Sequence, residues 1–351
     1  MNVAVLEYLS GGGLMGNVGS PSLRQEGFAM LSALSNDLVL SRHQVHTCLD
    51  RASLTQRNSL HRDVQVHAIG PAGLDWLKEW DAIARTCDRT IVIAPELDYQ
   101  LEQIVERLRA TGSIVVASSK DFLLATSDKL KTAQLLSKSN VAHPSTCTLS
   151  QFVDESTNAT TPIPMTVKRR DGAGCADMKY FANASVVKNW HAKQDINGDE
   201  WIVQPWLAGR SASMAIIADD EWHVLGAVEQ SIELVTPSSD REIANVSYLG
   251  GTGPLLGVTR NQLELLAKKV RRSLPSGAHG WIGIDFLVPM DPVCSKELVV
   301  IEVNPRLTTS YLGYRKWYGH RLALALVENG GLSSLTAQLS STPQLLERAK
   351  W

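Results

Sequence analysis

Two apolar stretches late in the chain hold the side chains whose types and spacing could do chemistry. The stretch Val299–Arg306 (VVIEVNPR) reads as a buried β-strand that ends at a proline. Strand alternation sends Val299, Ile301 and Val303 to one face, and Val300, Glu302 and Asn304 to the other. A carboxylate and an amide oxygen thus leave an apolar strand together, and the Arg306 guanidinium follows just past its end. Two oxygen ligands beside a fixed cation suit Mg²⁺ and phosphate. The same residues also suit a solvated sheet rim. A second stretch, Trp281–Val288 (WIGIDFLV), is an apolar strand interrupted by Asp285, and the turn-rich segment Pro289–Lys296 joins the two. If they pair antiparallel about a turn near Val293 and Cys294, Asp285 lands opposite Glu302, and Asp285, Glu302 and Asn304 converge on one face. Carboxylates are costly to bury unpaired, so a cation is their expected partner.

Other stretches suit a phosphate-bearing ligand. The strand that begins at Pro164 carries Lys168 and runs into Gly172-Ala173-Gly174, where glycines permit close backbone approach. A lysine beside such a loop can grip phosphates; a plain hairpin with a solvated lysine has the same spelling. The strand from Glu200 breaks at Gln204-Pro205, because proline cannot donate to a sheet. Backbone groups left free there, with Trp206 and Leu207 beside them, form a slot for a flat ring such as adenine, although core packing is the default for both side chains. Gly11, Gly13 and Gly16 fit a dinucleotide-binding turn, which would make the chain a Rossmann-type oxidoreductase. The third glycine does not open a helix, however, and Pro21 after Ser20 is the better helix start.

These groups need elements to position them. Strands at Val3–Leu9, Val45–Leu49, Val64–Ile69, Arg89–Ala94 and Ser113–Ser118 alternate with helical stretches, one of which carries Phe28, Leu31, Leu34 and Leu38 at helical spacing. The others run Leu74–Thr86 and Leu97–Ala110, a pattern that predicts a parallel α/β domain in the first third of the chain. Lys120–Ser139 reads as a helical connector and Asn158–Pro164 as a loop. Tyr248–Pro254 reads as a second glycine-rich loop, Asn261–Leu274 as an amphipathic helix, and the tail after Thr308, including Leu322–Asn329, as mainly helical.

At 351 residues the chain can hold two or three domains, and its composition is ordinary, with 44% hydrophobic and 20% charged residues. A net charge of −2 argues against broad attraction to nucleic acid or membrane surfaces. No apolar run approaches the roughly 20 residues of a membrane span, and no leader-like segment opens the sequence, so a cytoplasmic location is expected. The five cysteines include no Cys-x-x-Cys pair, which disfavours disulfides and structural zinc. His43 and His46 have no further ligand near them in the sequence.

In the order of its parts, from about Asp128 to Arg306, the chain resembles the ATP-grasp superfamily behind its α/β preceding domain. The matching pieces are Asp128-Lys129, Val167–Gly174 (VKRRDGAG), Gln204–Gly209 (QPWLAG), Asp285 and Glu302–Arg306 (EVNPR). It looks most like the branch that contains archaeal tyramine–glutamate ligase, through Glu7–Gly12 (EYLSGG), Asp171–Gly174 (DGAG), Tyr248–Gly251 (YLGG) and Asn304–Tyr311 (NPRLTTSY). The resemblance implies an N-terminal parallel α/β domain (1–119) followed by a two-lobed α+β ATP-grasp fold, with its small lobe at 120–203 and its large lobe at 204–351. It implies ATP and Mg²⁺ as cofactors, with Mn²⁺ as the alternative ion. A carboxylate, glutamate foremost, attacks the γ-phosphate, and a tyramine- or tyrosine-like amine then attacks the acyl phosphate, in the making of a methanofuran-type carrier. Small molecules are the implied partners. By the same resemblance Asp285, Glu302 and Asn304 hold the metal, Lys129 and Lys168 hold phosphates, and Arg306 stabilises the developing charge. Gln204, Pro205, Trp206 and Leu207 contact adenine, and Gly172, Ala173 and Gly174 close as a lid. Tyr8, Ser10, Gly11, Tyr248, Thr308, Thr309 and Tyr311 are the candidate substrate contacts. Pro205 stands where family members often carry Glu, and Arg169-Arg170 where a proline-containing sequence is commoner. The alternatives are an ATP-binding sensor or scaffold without turnover and a peptide ligase of the D-Ala–D-Ala type.

Overall fold

A computed structural model of the chain describes residues 1–13, 21–70, 75–154, 163–175, 177–236, 242–290, 297–328, 335 and 349–350. Gly16, Ser20, residues 158–162, the turn with Val293 and Cys294, and Asn329 lie outside the described residues.

The first third alternates as its hydrophobic pattern requires: β1 (Asn2–Glu7), α1 (Pro21–Leu40), β2 (Gln44–Leu49), β3 (Gln65–Ala68), α2 (Trp76–Thr86), β4 (Arg89–Ile93) and α3 (Gln100–Ala110). Its strands pair in parallel in the order β3-β2-β1-β4. Phe28, Leu31, Leu34 and Leu38 bury the inner face of α1. The strand expected at Ser113–Ser118 is reduced to one bridge between Thr90 and Val115. The Ala117 N–H turns back to the Val115 carbonyl at 3.0 Å, which ends the pairing there.

The connector expected as one helix over Lys120–Ser139 is two: α4 (Lys120–Ser127) and α5 (Lys129–Lys138). Asp128 breaks it. Its backbone is extended, and its side chain accepts the N–H groups of Leu130 and Lys131 at 3.0 and 3.2 Å, capping α5. Lys129 therefore opens a helix at a fixed place, with its own N–H on the Arg170 carbonyl at 2.9 Å.

The rest of the chain forms β5 (Cys147–Thr148), α6 (Leu149–Asp154), β6 (Met165–Arg169), β7 (Lys179–Phe181), α7 (Ala184–His191), β8 (Trp201–Pro205), β9 (Gly209–Ala218), β10 (Trp222–Val235), β11 (Ile243–Gly253), α8 (Arg260–Ser273), β12 (Gly280–Pro289), β13 (Val299–Asn304), α9 (Tyr311–Tyr318), α10 (Arg321–Val327) and β14 (Ala349–Lys350). Its strands join one antiparallel sheet in the order β13-β12-β9-β10-β11-β7-β6-β8-β5, with β14 on β11. Tyr248–Pro254 is not a loop: all but its proline is strand, within β11. The sequence reading also missed β10, the partner that makes it so, with Ile232 opposite Tyr248 and Glu229 opposite Thr252. Pairing along an edge overrides the weak strand preference of glycine.

The large sheet is amphipathic in an uneven way. Ala212, Met214 and Ile216 of β9, with Ile282, Ile284 and Phe286 of β12, pack in the core that includes Leu263, Leu266 and Val270 of α8. On the opposite face Ala215, Ile217 and Trp281 join α1, α9 and α10 in a core shared with the parallel sheet. Further along that same face, Ser213 and Asp285 are paired neighbours, and the surface turns polar. Asp37 of α1 ties the two bodies together. Its carboxylate accepts the Tyr311 hydroxyl at 2.8 Å and both Nε and a terminal nitrogen of Arg315, at 2.9 and 2.5 Å. Asp37→Ala strands a buried hydroxyl and a half-buried guanidinium. Urea unfolding is expected to show a loss of about 3 kcal/mol, the lower end of the range for broken buried pairs because Arg315 is partly exposed.

Candidate functional site

β13 is not the evenly alternating strand its sequence suggests. Asp285 faces Glu302 and Gly283 faces Asn304, but beyond Glu302 the register slips so that Phe286 faces Val300, leaving Ile301 as an extra residue. Val300 and Val303 consequently share the α8 core, whereas Ile301, Glu302 and Asn304 line a cleft. Gly283 makes room for this. A Cβ there would sit 3.5 Å from that of Asn304 and 3.0 Å from the Thr308 methyl.

The cleft, of about 960 Å³, lies between the two sheets. Its large-sheet wall carries Lys168, Ser213, Gln230, Asp285, Glu302, Asn304 and Arg306. Asn304 donates Nδ2 to Asp285 at 3.3 Å, and Gln230 donates Nε2 to the other Asp285 oxygen at 3.2 Å. Glu302 lies 3.6 Å from the Lys129 ammonium and 3.9 Å from that of Lys168. The Lys129 ammonium also donates to the Gly172 carbonyl at 2.5 Å, which anchors the Gly172–Gly174 loop between β6 and β7.

Burial, and then the charge of Glu302, push the Asp285 carboxyl up to about 7. Burial works in the same sense on Glu302, but the charges of Lys129, Lys168 and Arg306 outweigh it and hold that carboxyl below its usual range. Below about pH 7 the pair therefore holds one proton on Asp285 and one charge on Glu302. Burial lowers the Lys168 ammonium despite Glu302. Among the described residues no three His, Cys, Asp or Glu side chains cluster as metal ligands. Two facing carboxylates completed by the Asn304 amide, with room for phosphate oxygens and water, still match what Mg²⁺ takes from a protein. A half-turn of that amide presents its oxygen in place of its nitrogen.

Arg306 is fixed from the other body. Its Nε lies 2.9 Å from each oxygen of Glu96, in the segment after β4. Neither Glu96 nor Gln230 stands out in the sequence. The available signal for Glu96 was its place just past the carboxyl end of a parallel strand, where α/β sheets put ligand groups.

At the proposed adenine slot Gln204, Pro205, Trp206 and Leu207 all line the cleft. Pro205 ends β8, beyond the reach of β5. The Trp206 N–H is not free, since it donates to the Pro164 carbonyl at 2.7 Å, and Gln204 is paired with Thr166 in the same ladder, so the Pro205 carbonyl and the Leu207 backbone are left to offer groups. Arg170 turns to Asp128, with Nε at 3.2 Å, and Arg169 turns to Asp171 at 3.2 Å.

Three expected substrate contacts are misplaced. Tyr311 opens α9 and is fully buried against Trp281, its hydroxyl on Asp37. Ser10 is also buried, its hydroxyl on Glu7. Gly11 packs under Trp80, whose Nε1 donates to its carbonyl at 3.0 Å, and does not line the cleft. Tyr8, Tyr248, Thr308 and Thr309 do line it. His43 and His46 part company, the first to Glu328 and the second to His67.

The ATP-grasp domain family matches residues 126–310, and the pre ATP-grasp 3 domain matches residues 43–121. The tyramine–L-glutamate ligase of Methanocaldococcus fervens is 22% identical over 71% of this chain and 68% of its own. Among solved structures, an ATP-grasp superfamily protein from Archaeoglobus fulgidus aligns with a TM-score of 0.65 at 19% identity, over 93% of this chain and 87% of its own. The biotin carboxylase domain of Hydrogenobacter thermophilus 2-oxoglutarate carboxylase, in complex with MgADP, ADP and bicarbonate, aligns with a TM-score of 0.64 at 13% identity, over 93% and 70%. No helix among the described residues is long and apolar enough to cross a membrane. With more than half of its length matched from Thr126 to Ser310, and the preceding domain matched ahead of that, the chain belongs to the ATP-grasp family.

Proposed function

We propose that this ATP-dependent C–N ligase joins the carboxylate of glutamate to a primary amine of the tyramine or tyrosine kind. The route is an acyl phosphate formed from ATP, which leaves as ADP. The observation that carries the reading is the convergence, in one cleft, of two facing carboxylates, Lys168 and Arg306, with the Lys129 ammonium 3.6 Å from Glu302 beside them. The tyramine–glutamate ligase relative supports the choice of substrates. The product class fits a methanofuran-type one-carbon carrier.

Asp285, Glu302 and Asn304 would hold Mg²⁺, as the MgADP in the biotin carboxylase neighbour suggests by likeness of fold. The ion supplies charge neutralisation at the terminal phosphates. Lys129 and Lys168 hold phosphate oxygens, and the loop Gly172–Gly174, tethered by Lys129, covers them. Gln204, Pro205 and Leu207 bound the adenine. Arg306, oriented by Glu96, meets the charge that develops on the transferred phosphoryl and acyl oxygens. Residues 1–119, 120–203 and 204–351 then serve as preceding domain, small lobe and large lobe.

ADP release from Mg·ATP on mixing with glutamate and tyramine tests the reading; a folded protein that releases none across a panel of acids and amines sinks it. In that assay Asp285→Asn and Glu302→Gln should each lower the rate by on the order of 100-fold or more. Glu96→Ala leaves the Arg306 guanidinium buried without its anion. It should cost about 3–5 kcal/mol in denaturant unfolding and lower the ADP rate as well, whereas intact activity would show that Arg306 needs no orienting. Because Asp285 holds its proton up to about pH 7, a metal must displace that proton below this value. Mg·ATP binding should therefore tighten as pH rises towards 7, with proton release visible in calorimetry repeated in two buffers of different ionisation enthalpy.

A further inference from the structure

Facing the metal-side wall, the parallel-sheet wall of the cleft has a carboxylate that nothing above uses. Glu7 is the last residue of β1 and lines the cleft, yet is only 1% exposed. Its carboxyl is locked in place. The N–H groups of Leu9 and Ser10 donate to its two oxygens at 2.9 and 2.7 Å, and the Ser10 hydroxyl donates as well. Helix α1 is cut away to admit it: a Cβ on Gly27 would lie 2.8 Å from the Glu7 Cδ.

Such a group should have a cation, and among the described residues it has none in ion-pair contact. The guanidinium that acts on it from α1, Arg24, is engaged with Asp50 at 2.8 Å. Residues 14–20, outside the described set, contain no lysine, arginine or histidine. Around it apolar side chains line the cleft, with two further carboxylates, Glu26 of α1 and Asp98 past β4, at the same wall. Leu23, Gly27 and Met30 share one face of α1 by helical spacing, and with Ile93 and the Tyr8 ring they line the same cleft. A carboxyl held in place beside apolar side chains, on a wall that carries further carboxylates, is complementary to a primary ammonium on an apolar or aromatic body.

We propose that Glu7 binds the ammonium of the acceptor amine and takes one proton from it as the amide forms. The inference rests on the ligase reading and deepens it. The ammonium gives one proton to the Glu7 carboxylate, and its nitrogen lone pair forms the C–N bond at the acyl carbon. The bond from that carbon to the phosphate oxygen breaks, its electron pair leaving with phosphate, which takes the second proton from nitrogen. Burial, against the opposing hydrogen bonds and Arg24, pushes the Glu7 carboxyl up to about 7, within reach of proton exchange at neutral pH.

The test compares two nucleophiles with glutamate and Mg·ATP: tyramine, which arrives as a cation, and hydroxylamine, which is uncharged at neutral pH and reports acyl phosphate as hydroxamate. Glu7→Gln should lower kcat/KM for tyramine roughly 50-fold, with kcat falling as well as KM rising, the scale of a hydrogen bond to a charged group. Hydroxamate formation should fall far less, and Glu7→Asp should restore part of the tyramine rate. Equal loss with both nucleophiles, or no loss with either, overturns the role of Glu7 and leaves the ligase reading standing. Wild-type protein that yields neither amide nor hydroxamate overturns that reading and this inference with it. A measurement on the wild type needs no variant to fold. Tyramine should suppress hydroxamate formation at concentrations at least about tenfold below those of its uncharged isostere 2-(4-hydroxyphenyl)ethanol; equal potency of the two removes the need for an anion.

Discussion

The burial of two carboxylates side by side constrains everything else in this molecule. Asp285 and Glu302 face one another across β12 and β13 with their side chains taken out of bulk water. Two like charges about 4 Å apart repel by about 4 kcal/mol at an effective dielectric of 20. The pair can persist only with a shared proton, flanking cations or a bound metal. The protein supplies the first two: a proton on Asp285 and the ammonium groups of Lys129 and Lys168 on Glu302. Each is a place-holder that a divalent ion with its phosphates can replace. The same physics that makes the cluster costly in isolation makes it receptive.

Holding such a cluster requires rigidity from several directions. Lys129 is fixed by the cap that Asp128 puts on α5, and Asp128 is itself gripped by Arg170 at the end of the strand that carries Lys168. Arg306 is fixed by Glu96 from the parallel-sheet body, and Arg315 and Tyr311 by Asp37 from the same body. The two sheets are thus joined by charged contacts set beside a continuous apolar core. The core supplies most of the driving force. The charged contacts fix how the two walls of the cleft face each other, because a misaligned buried guanidinium is expensive where a misaligned leucine is not.

What the sequence made legible follows from range. Asp285 and Glu302 belong to one antiparallel pair of strands close together in the sequence, so the pairing can be read from spacing. The parallel α/β start is legible for the same reason, each strand and helix announcing itself by its own period. Glu96 and Arg306 are 210 residues apart, and no local pattern links them. Tyr311 and Ser10 sit in motifs that look like substrate loops; tertiary packing turns the first into the core, and a local bond three residues back turns the second onto Glu7. The bulge at Ile301 is equally silent. Strict alternation puts Val300 with Glu302, whereas the extra residue sends Val300 and Val303 together to the α8 side.

That bulge also explains how one strand serves two masters. A regular strand would have to place Val300 on the cleft wall beside Glu302, or else give up an apolar contact with α8. One inserted residue resolves the conflict: β13 presents Ile301, Glu302 and Asn304 to the cleft and still buries two valines behind them. Below about pH 7, with Asp285 protonated, the charges on this wall and its support are three cations, Lys129, Lys168 and Arg306, against two anions, Glu302 and Glu96. The balance favours an incoming polyanion such as a nucleotide triphosphate, and loss of the Asp285 proton to an arriving cation keeps the site from becoming overcharged. The opposite wall carries carboxyl groups of its own, Glu7 and Glu26, beside an apolar surface. A cleft that is cationic on one wall and anionic on the other can hold a phosphorylated acid and an ammonium at once without letting them exchange places.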